Sequence, residues 1–420
     1  MPKITRSRRM DTWPKSGLPK CANPNSITIS VGTQTLGLKI YKQLAKNHDD
    51  FVFSPYSLYE MFGIFEALSP RQVARDIRKT FEYPFSGESL HRAFGETRNQ
   101  LPLSRLNPRP TRFSMKPLLR KLPFWSKRRS GLEDDTILPR GDILTIPHGY
   151  WTQDDLSRHD ARRILTRYYD ACLEHADFQL YPDQARARIN QWVEEMTRGN
   201  IPELFKPGNI RSDTRSVFVS GIHFHGDWLT PFDVDKTKKA PFEWSSGKFD
   251  DVDTMFLKEP VYYFENEDCQ AVGLPYQDEG TMLLALLPTR RFQLAPLMEH
   301  FHSHAFVRIL EDMKLGEIEV QFPKFTLDQR LDIQATLQGI GLYSPFESGQ
   351  GCSSQEMENH SRIDVNETGT TFSSFSAKIG IMGPTRKRRF IADQPFMFAI
   401  LDTYTAIPLA MGRVTHPVYS

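Results

Sequence analysis

The chain has 420 residues, 39% of them hydrophobic and 25% charged, with a formal net charge of +2. This is ordinary globular composition on a chain long enough to bury a large core. The longest apolar runs, such as Met282–Pro288, are far too short to cross a bilayer, and the isolated Cys21, Cys172, Cys269 and Cys352 give neither a zinc pattern nor a disulfide framework.

Met1–Lys20 carries six Lys/Arg and one acidic residue without an apolar stretch. It lacks the pattern of a secretory signal, which leaves the compartment open between the cell interior, leaderless export and a start further upstream. Residues 1–30 read as a disordered basic arm. Thr35–Asn47 then places Leu36, Ile40, Tyr41 and Leu44 on one helical stripe. Phe51–Leu68 reads as a short strand entering a buried helix. The helix after it has Ser69 as its cap and Pro70 at its first position.

Pro102–Asp142 has six prolines and no sustained periodicity, and reads as an insertion. Leu101–Ser130 holds nine Lys/Arg and no acid: Arg105, Arg109, Arg112, Lys116, Arg120, Lys121, Lys127, Arg128 and Arg129. The rest of the chain is therefore net acidic, and the block is a local feature. Order resumes with Ile164–Phe178, which places Cys172 on a helix face. A second helix carries Ile189, Trp192, Val193 and Met196 on one side and stops at Gly199.

Strands dominate from there. Thr214–Trp228 alternates, Thr281–Pro288 is a continuous buried strand containing no charge, and Ile318, Val320 and Phe322 share one strand face. Cys269 falls in a strand, and the cysteines are expected as reduced, packed thiols. A short helix ends at glycine near residue 339, and the last hairpin turns at Asp402–Ala406. Helices and mostly antiparallel strands without βαβ regularity predict an α+β protein with more than one sheet.

No GxSxG, HExxH, P-loop, GxGxxG or kinase pattern is present. His300 and His304 would share a helix face, but one such pair lacks the further ligands of a metal centre. No cofactor, metal or catalytic residue is expected.

Several ordered stretches resemble the serpin family. They are FVFSPYSLYEMFGIFEALS; a helix end with Asn190, Trp192, Thr197, Gly199 and Ile201 in register; a segment matched by Phe224, Gly226, Trp228, Pro231 and Phe232; and the C-terminal FIADQPFMFAILD and IPLAMGRVTHP. The resemblance covers Thr35–Pro417 apart from the insertion. It implies one α+β domain over 31–420, with three sheets, about nine helices and an exposed reactive-centre loop at 367–390. In that family a protease attacks the loop, forms an acyl-enzyme, and is carried along as the cut loop inserts into the main sheet. The protein would then be a monomeric protease inhibitor and not an enzyme.

The same resemblance assigns a hinge to Glu367, Gly369, Thr370 and Phe372. Alternating parity puts Thr370, Phe372, Ser374 and Ser376 on the inward face of an inserted strand. Phe372 stands where inhibitory members usually have alanine. Ser54, Ser57, Ser220, Trp228 and Asn359 fall in the sheet-opening region. Ser220 departs from the usual asparagine and Asn359 from the usual histidine, a pairing that adjacent His360 could restore by a one-residue shift.

The family spacing sets the scissile bond at Met382–Gly383, followed by Pro384, which suits an elastase- or chymotrypsin-like protease. Arg386 is the second choice and suits a trypsin-like one. Cleavage after Arg389 would suit a furin-like preference, and the plain reading of Arg386–Arg389 is a solvated strand edge. The basic insertion could hold a heparin-like polyanion, or be a solvated loop. Asn359 and Asn366 are glycosylation acceptors by pattern. The alternative function is a non-inhibitory serpin used as a binding or carrier module, with the polyanion as its partner.

Overall fold

An asparagine and a proline start the first helix. The computed structural model describes residues 23–102, 143–153, 159–278, 280–346, 358–370 and 388–419. In it the Asn23 side chain accepts the Asn25 amide, and Pro24 takes the first position of α1 (Pro24–Leu44). Order therefore begins before residue 31. Ser26, Ile29 and Ser30 are buried; the Ser26 hydroxyl accepts from Thr97 at 3.3 Å and the Ser30 hydroxyl from Gln34 at 3.0 Å.

β1 (Phe51–Phe53) leads into α2 (Pro55–Leu68), α3 (Arg71–Thr80) and α4 (Glu88–Gln100). Pro70, not Ser69, is the cap residue of α3, and it makes no side-chain capping bond. β2 (Ile143–Thr145), β3 (His148–Thr152), α5 (His159–Tyr169) and β4 (Cys172–His175) follow. Cys172 thus opens a strand rather than lying on a helix face: the next residue after α5, Asp170, has φ 50, which helical backbone does not tolerate.

Next come α6 (Pro182–Met196), β5 (Ser216–Ser220) and β6 (His223–Asp227). β7 (Lys238–Ser245), β8 (Lys248–Glu265), β9 (Cys269–Pro275) and β10 (Thr281–Pro288) form a meander. α7 (Leu294–His300) and α8 (His304–Asp312) are separate helices, so His300 and His304 share no helix face. β11 (Lys314–Pro323), β12 (Phe325–Asp332), α9 (Ile333–Gly339), β13 (Glu358–Val365) and β14 (Gly369–Thr370) come next. β15 (Arg388–Ile391), β16 (Phe396–Asp402) and β17 (Pro408–Val414) complete the order.

One sheet has nine strands, in the order β1-β17-β16-β10-β9-β8-β11-β15 with β7 added on β8. Every residue of β10 and β16 is buried, as expected of strands covered on both faces. The other ladders, β4-β3-β5, β2-β6-β14 and β12-β13, are pieces of a second sheet. Their strands run on from one another across short breaks: two residues between β2 and β3, Gly221 and Ile222 between β5 and β6, and a three-residue turn between β13 and β14. α2 lies between the two sheets, touching β17 and β5, and is buried on nearly all sides. Among the described residues no helix is long and apolar enough to cross a membrane.

A charged group pins α2 to its neighbours. Glu60 is fully buried, with Arg98 Nη1 of α4 at 3.0 Å and His148 Nε2 of β3 at 2.9 Å from the same carboxylate oxygen. Burial alone would raise the Glu60 carboxyl, but Arg98 and then His148 outweigh it and hold it below the usual carboxylate range. Burial lowers the His148 imidazole, which is therefore neutral and donates its Nε2–H to Glu60. Removing the cation should leave an uncompensated buried charge. Arg98→Met is expected to cost about 3–5 kcal/mol, read as a lower denaturant midpoint; an unchanged midpoint would mean that the pair does not pin the helices.

Candidate functional site

β5 bonds to β3 and β13 to β12, and among the described residues no ladder joins β5 to β13. A cleft of about 450 Å³ lies there, lined by Ser216–Ser220 on one side and His360–Asp364 on the other. Its floor includes Ser57, Leu58 and Met61 of α2 and Ala410 of β17. Along β5 the side chains alternate. Val217 and Val219 point toward α6, where Trp151, Ile189 and Val193 form a second core. Phe218 and Ser220 point toward α2, with Phe218 against Phe65 and Ser220 Oγ 2.9 Å from Ser57 Oγ. A strand laid beside β5 would meet two different faces.

Ser54, Ser57 and Ser220 therefore do come together. Ser54 caps α2 by accepting the Ser57 amide at 3.1 Å, which fixes Ser57 for its contact with β5. His360 does not restore the expected pairing. It reaches across to Asp328 of β12 at 2.5 Å, because its side chain points away from the Ser57–Ser220 pair. Asn359 sits in β13 opposite Leu331, and its side chain lies outside the described residues.

β14 turns back on β13 through Asn366–Gly369, where the Asn366 amide donates to the Gly369 carbonyl and the Asn366 side chain accepts from Thr368. β14 then pairs antiparallel with β6, Gly369 opposite Asp227 and Thr370 opposite Gly226, so β14 itself runs along β6 in the direction of β5. A Cβ on Gly369 would sit 2.3 Å from the Gly226 carbonyl oxygen, so only glycine fits.

Trp228 holds this turn. Its buried indole stacks on Tyr276 at 4.7 Å and donates Nε1–H to the Asn366 carbonyl at 2.9 Å, while its backbone amide donates to Thr368. Glu367 is buried; its carboxylate accepts from Thr237 Oγ1 at 2.8 Å and pairs with Lys324 Nζ at 3.1 Å. Thr237 and Lys324 escaped the sequence reading. The only sign of Lys324 was a lone charge between two strand patterns.

Phe372, Met382, Gly383, Pro384, Arg386 and the nine basic residues from Arg105 to Arg129 lie outside the described residues. The loop's two ends are strands, which narrows the expected 367–390 span. Gly369–Thr370 is in β14, and Arg388–Phe390 is already in β15, parallel to β11 at the rim of the nine-stranded sheet. Arg388 and Arg389 are exposed there, with Arg389 paired to Glu319 at 3.2 Å, as a solvated edge would have them.

Comparison with known proteins gives one consistent picture. A family model described as "Serpin (serine protease inhibitor)" matches residues 32–417. A "Leukocyte elastase inhibitor" from Xenopus laevis is 31% identical over 60% of this chain and 71% of its own length. An "Uncharacterized serpin-like protein" from Methanosarcina acetivorans is 30% identical over 93% of this chain and 87% of its own. The fold is shared with native protease nexin-1 solved with heparin, at 20% identity and a TM-score of 0.75, covering 93% of this chain and all of that one.

Two predictions follow from this geometry. Trp228→Phe keeps the stack but removes the donor to Asn366. It should cost about 1 kcal/mol and speed amide exchange at Thr368 and Gly369; unchanged exchange would show that the indole N–H does not hold the turn. The second concerns His223 on β6. Burial, then Arg198, then His225 push its imidazole down to about 4. Between pH 6.5 and 4 the unfolded chain binds a proton that the folded chain refuses, so stability falls as pH falls through that window. Asp227, raised to about 6 by burial, works in the opposite direction. The comparison is therefore with His223→Gln: wild type should lose stability relative to the variant from pH 6.5 to 4, and parallel pH profiles would refute the assignment.

Proposed function

This chain belongs to the serpin family, and from that premise we propose that it inhibits a serine protease by loop cleavage and insertion. The observation that carries the reading is the direction of β14, which leaves its turn antiparallel to β6 and points into the cleft between β5 and β13. A strand continuing on that line would lie between β5 and β13, with backbone groups of both within its reach.

The chemistry needs no catalytic group from this chain. The protease serine Oγ attacks the Met382 carbonyl carbon, the Gly383 nitrogen departs with a proton, and the segment ending at Met382 remains as an ester on the enzyme. Hydrolysis by water then competes with insertion of that segment. Met382–Gly383, with Pro384 beyond it, is the first choice of bond and suits an elastase- or chymotrypsin-like target. Arg386 is the second and suits a trypsin-like one. A cut after Arg389 would fall inside β15.

Phe372 decides how well the race is run. Were the β14 register to continue, Phe372 would fall opposite Phe224 and Ser376 opposite Ser220. Phe224 is already edge-on to Tyr276 at 4.7 Å, so a second large ring on that face costs about 1–3 kcal/mol. Each 1.4 kcal/mol is about tenfold in rate. The occupied Phe224–Tyr276 face is the observation that favours the second reading, a serpin that is cleaved without trapping its protease and acts as a binding module. The basic block from Arg105 to Arg129 is then the proposed polyanion contact, expected to weaken steeply with salt.

The test is incubation with proteases of elastase, chymotrypsin, trypsin and furin specificity, read by denaturing gel and intact mass. A complex that survives SDS is the expected result, with the released peptide beginning at Gly383. Clean cleavage without complex favours the second reading. Phe372→Ala should raise the fraction of protease trapped by about tenfold; no change would acquit the ring.

A further inference from the structure

The turn that aims β14 is anchored by a residue far from the loop in sequence. After β17 the chain runs back along β12, where the Val418 carbonyl accepts the Thr326 amide at 2.7 Å. This sets the ring of Tyr419 over Lys324, with the ammonium 4.1 Å from the ring centroid. The same ammonium binds the Glu367 carboxylate at 3.1 Å, and the Tyr419 hydroxyl accepts from Asn366 Nδ2 at 3.5 Å. Tyr419 thus touches both ends of a short network: the cation that holds Glu367, and the residue that opens the Asn366–Gly369 turn.

We propose that Tyr419 is a positioning residue for loop insertion, acting through Lys324 and Glu367 to fix the pivot about which the inserting strand turns. The proposal rests on the insertion reading above. Lys324 is a flexible ammonium on a four-carbon stem, and it can hold Glu367 in one place only if its own position is fixed. The π-face of Tyr419 supplies that fixation from the side opposite the carboxylate. The ring also covers the ion pair: the Lys324 and Glu367 side chains are 17% and 9% exposed, whereas Tyr419 itself is 40% exposed. With the pivot fixed, Gly369 and Thr370 meet Asp227 and Gly226 in register. With it loose, the first residues to enter lose that register, and hydrolysis of the acyl-enzyme gains on insertion.

The ring, not the hydroxyl, carries the effect, because the hydroxyl contact to Asn366 is long for a hydrogen bond. Tyr419→Phe should therefore behave as wild type, while Tyr419→Leu, which fills space without a π-face, should behave as Tyr419→Ala. A half-exposed residue on this surface can be truncated without unfolding the domain.

Two readouts keep this separate from the insertion reading itself. The first needs no protease: amide exchange at Thr368 and Gly369 should be about fivefold faster in Tyr419→Ala and Tyr419→Leu than in wild type and Tyr419→Phe. The second is the fraction of cleaved protein that ends as SDS-stable complex, which should fall by a similar factor in the same two variants. In a Lys324→Met background Tyr419→Ala should add nothing to either readout. If wild type traps no protease, the insertion reading fails, while exchange still judges the pivot. If wild type traps protease and Tyr419→Ala matches it in both readouts, the proposal is overturned. Additive effects in the Lys324→Met background would also overturn it, since Tyr419 would then act by another route.

Discussion

Backbone groups at a strand edge need partners, and among the described residues β5 and β13 face each other across one cleft with no ladder between them. β5 is laddered to β3 and β13 to β12, and both line the same 450 Å³ space. Under the proposed function this space is where an extended segment would pair. The rest of the architecture can be understood as what supports the two edges and governs access to the space between them.

Support comes from beneath and from the side. α2 runs under the cleft between the two sheets, locked by the Glu60–Arg98–His148 group, so that its hydroxyls present a fixed surface to β5. α6 covers the other face through the smaller core around Trp151 and Val193. These elements leave room between β5 and β13, whereas the nine-stranded sheet behind them has its inner strands buried and fully laddered.

Access is governed at the Trp228 end. There the stacked indole, the Glu367 ion pair and the narrow approach of Gly369 to Gly226 convert a chain direction into a commitment, since β14 can run only along β6. An inhibitor of this kind needs no acid, base or nucleophile of its own. Under the proposed function, hydrolysis competes with strand addition, and side-chain size on the inserting strand and rigidity at its pivot would act directly on that competition.

Much of this was legible in the sequence wherever local periodicity or one short motif carries the information. Ile318, Val320 and Phe322 alternate because a strand has period two, β10 is uniformly apolar because both its faces are covered, and Gly199 and Asp402–Ala406 mark a helix stop and a hairpin turn. The resemblance carried by the ordered motifs indicated the fold family and brought Ser54, Ser57, Ser220, Trp228 and Asn359 forward as the sheet-opening region, with Glu367 in the hinge. Periodicity failed where polar residues do structural work. Ser26 and Ser30 fell within the arm read as disordered but are buried in α1, and Cys172 read as helical although the chain turns at Asp170. Tertiary structure alone decided the partners. That His360 bonds Asp328, that Lys324 and Thr237 hold Glu367, and that Tyr419 covers Lys324 are contacts between residues tens to hundreds of positions apart. No local pattern encodes them, because each depends on which strands become neighbours, and that is settled only by the packing of the whole chain.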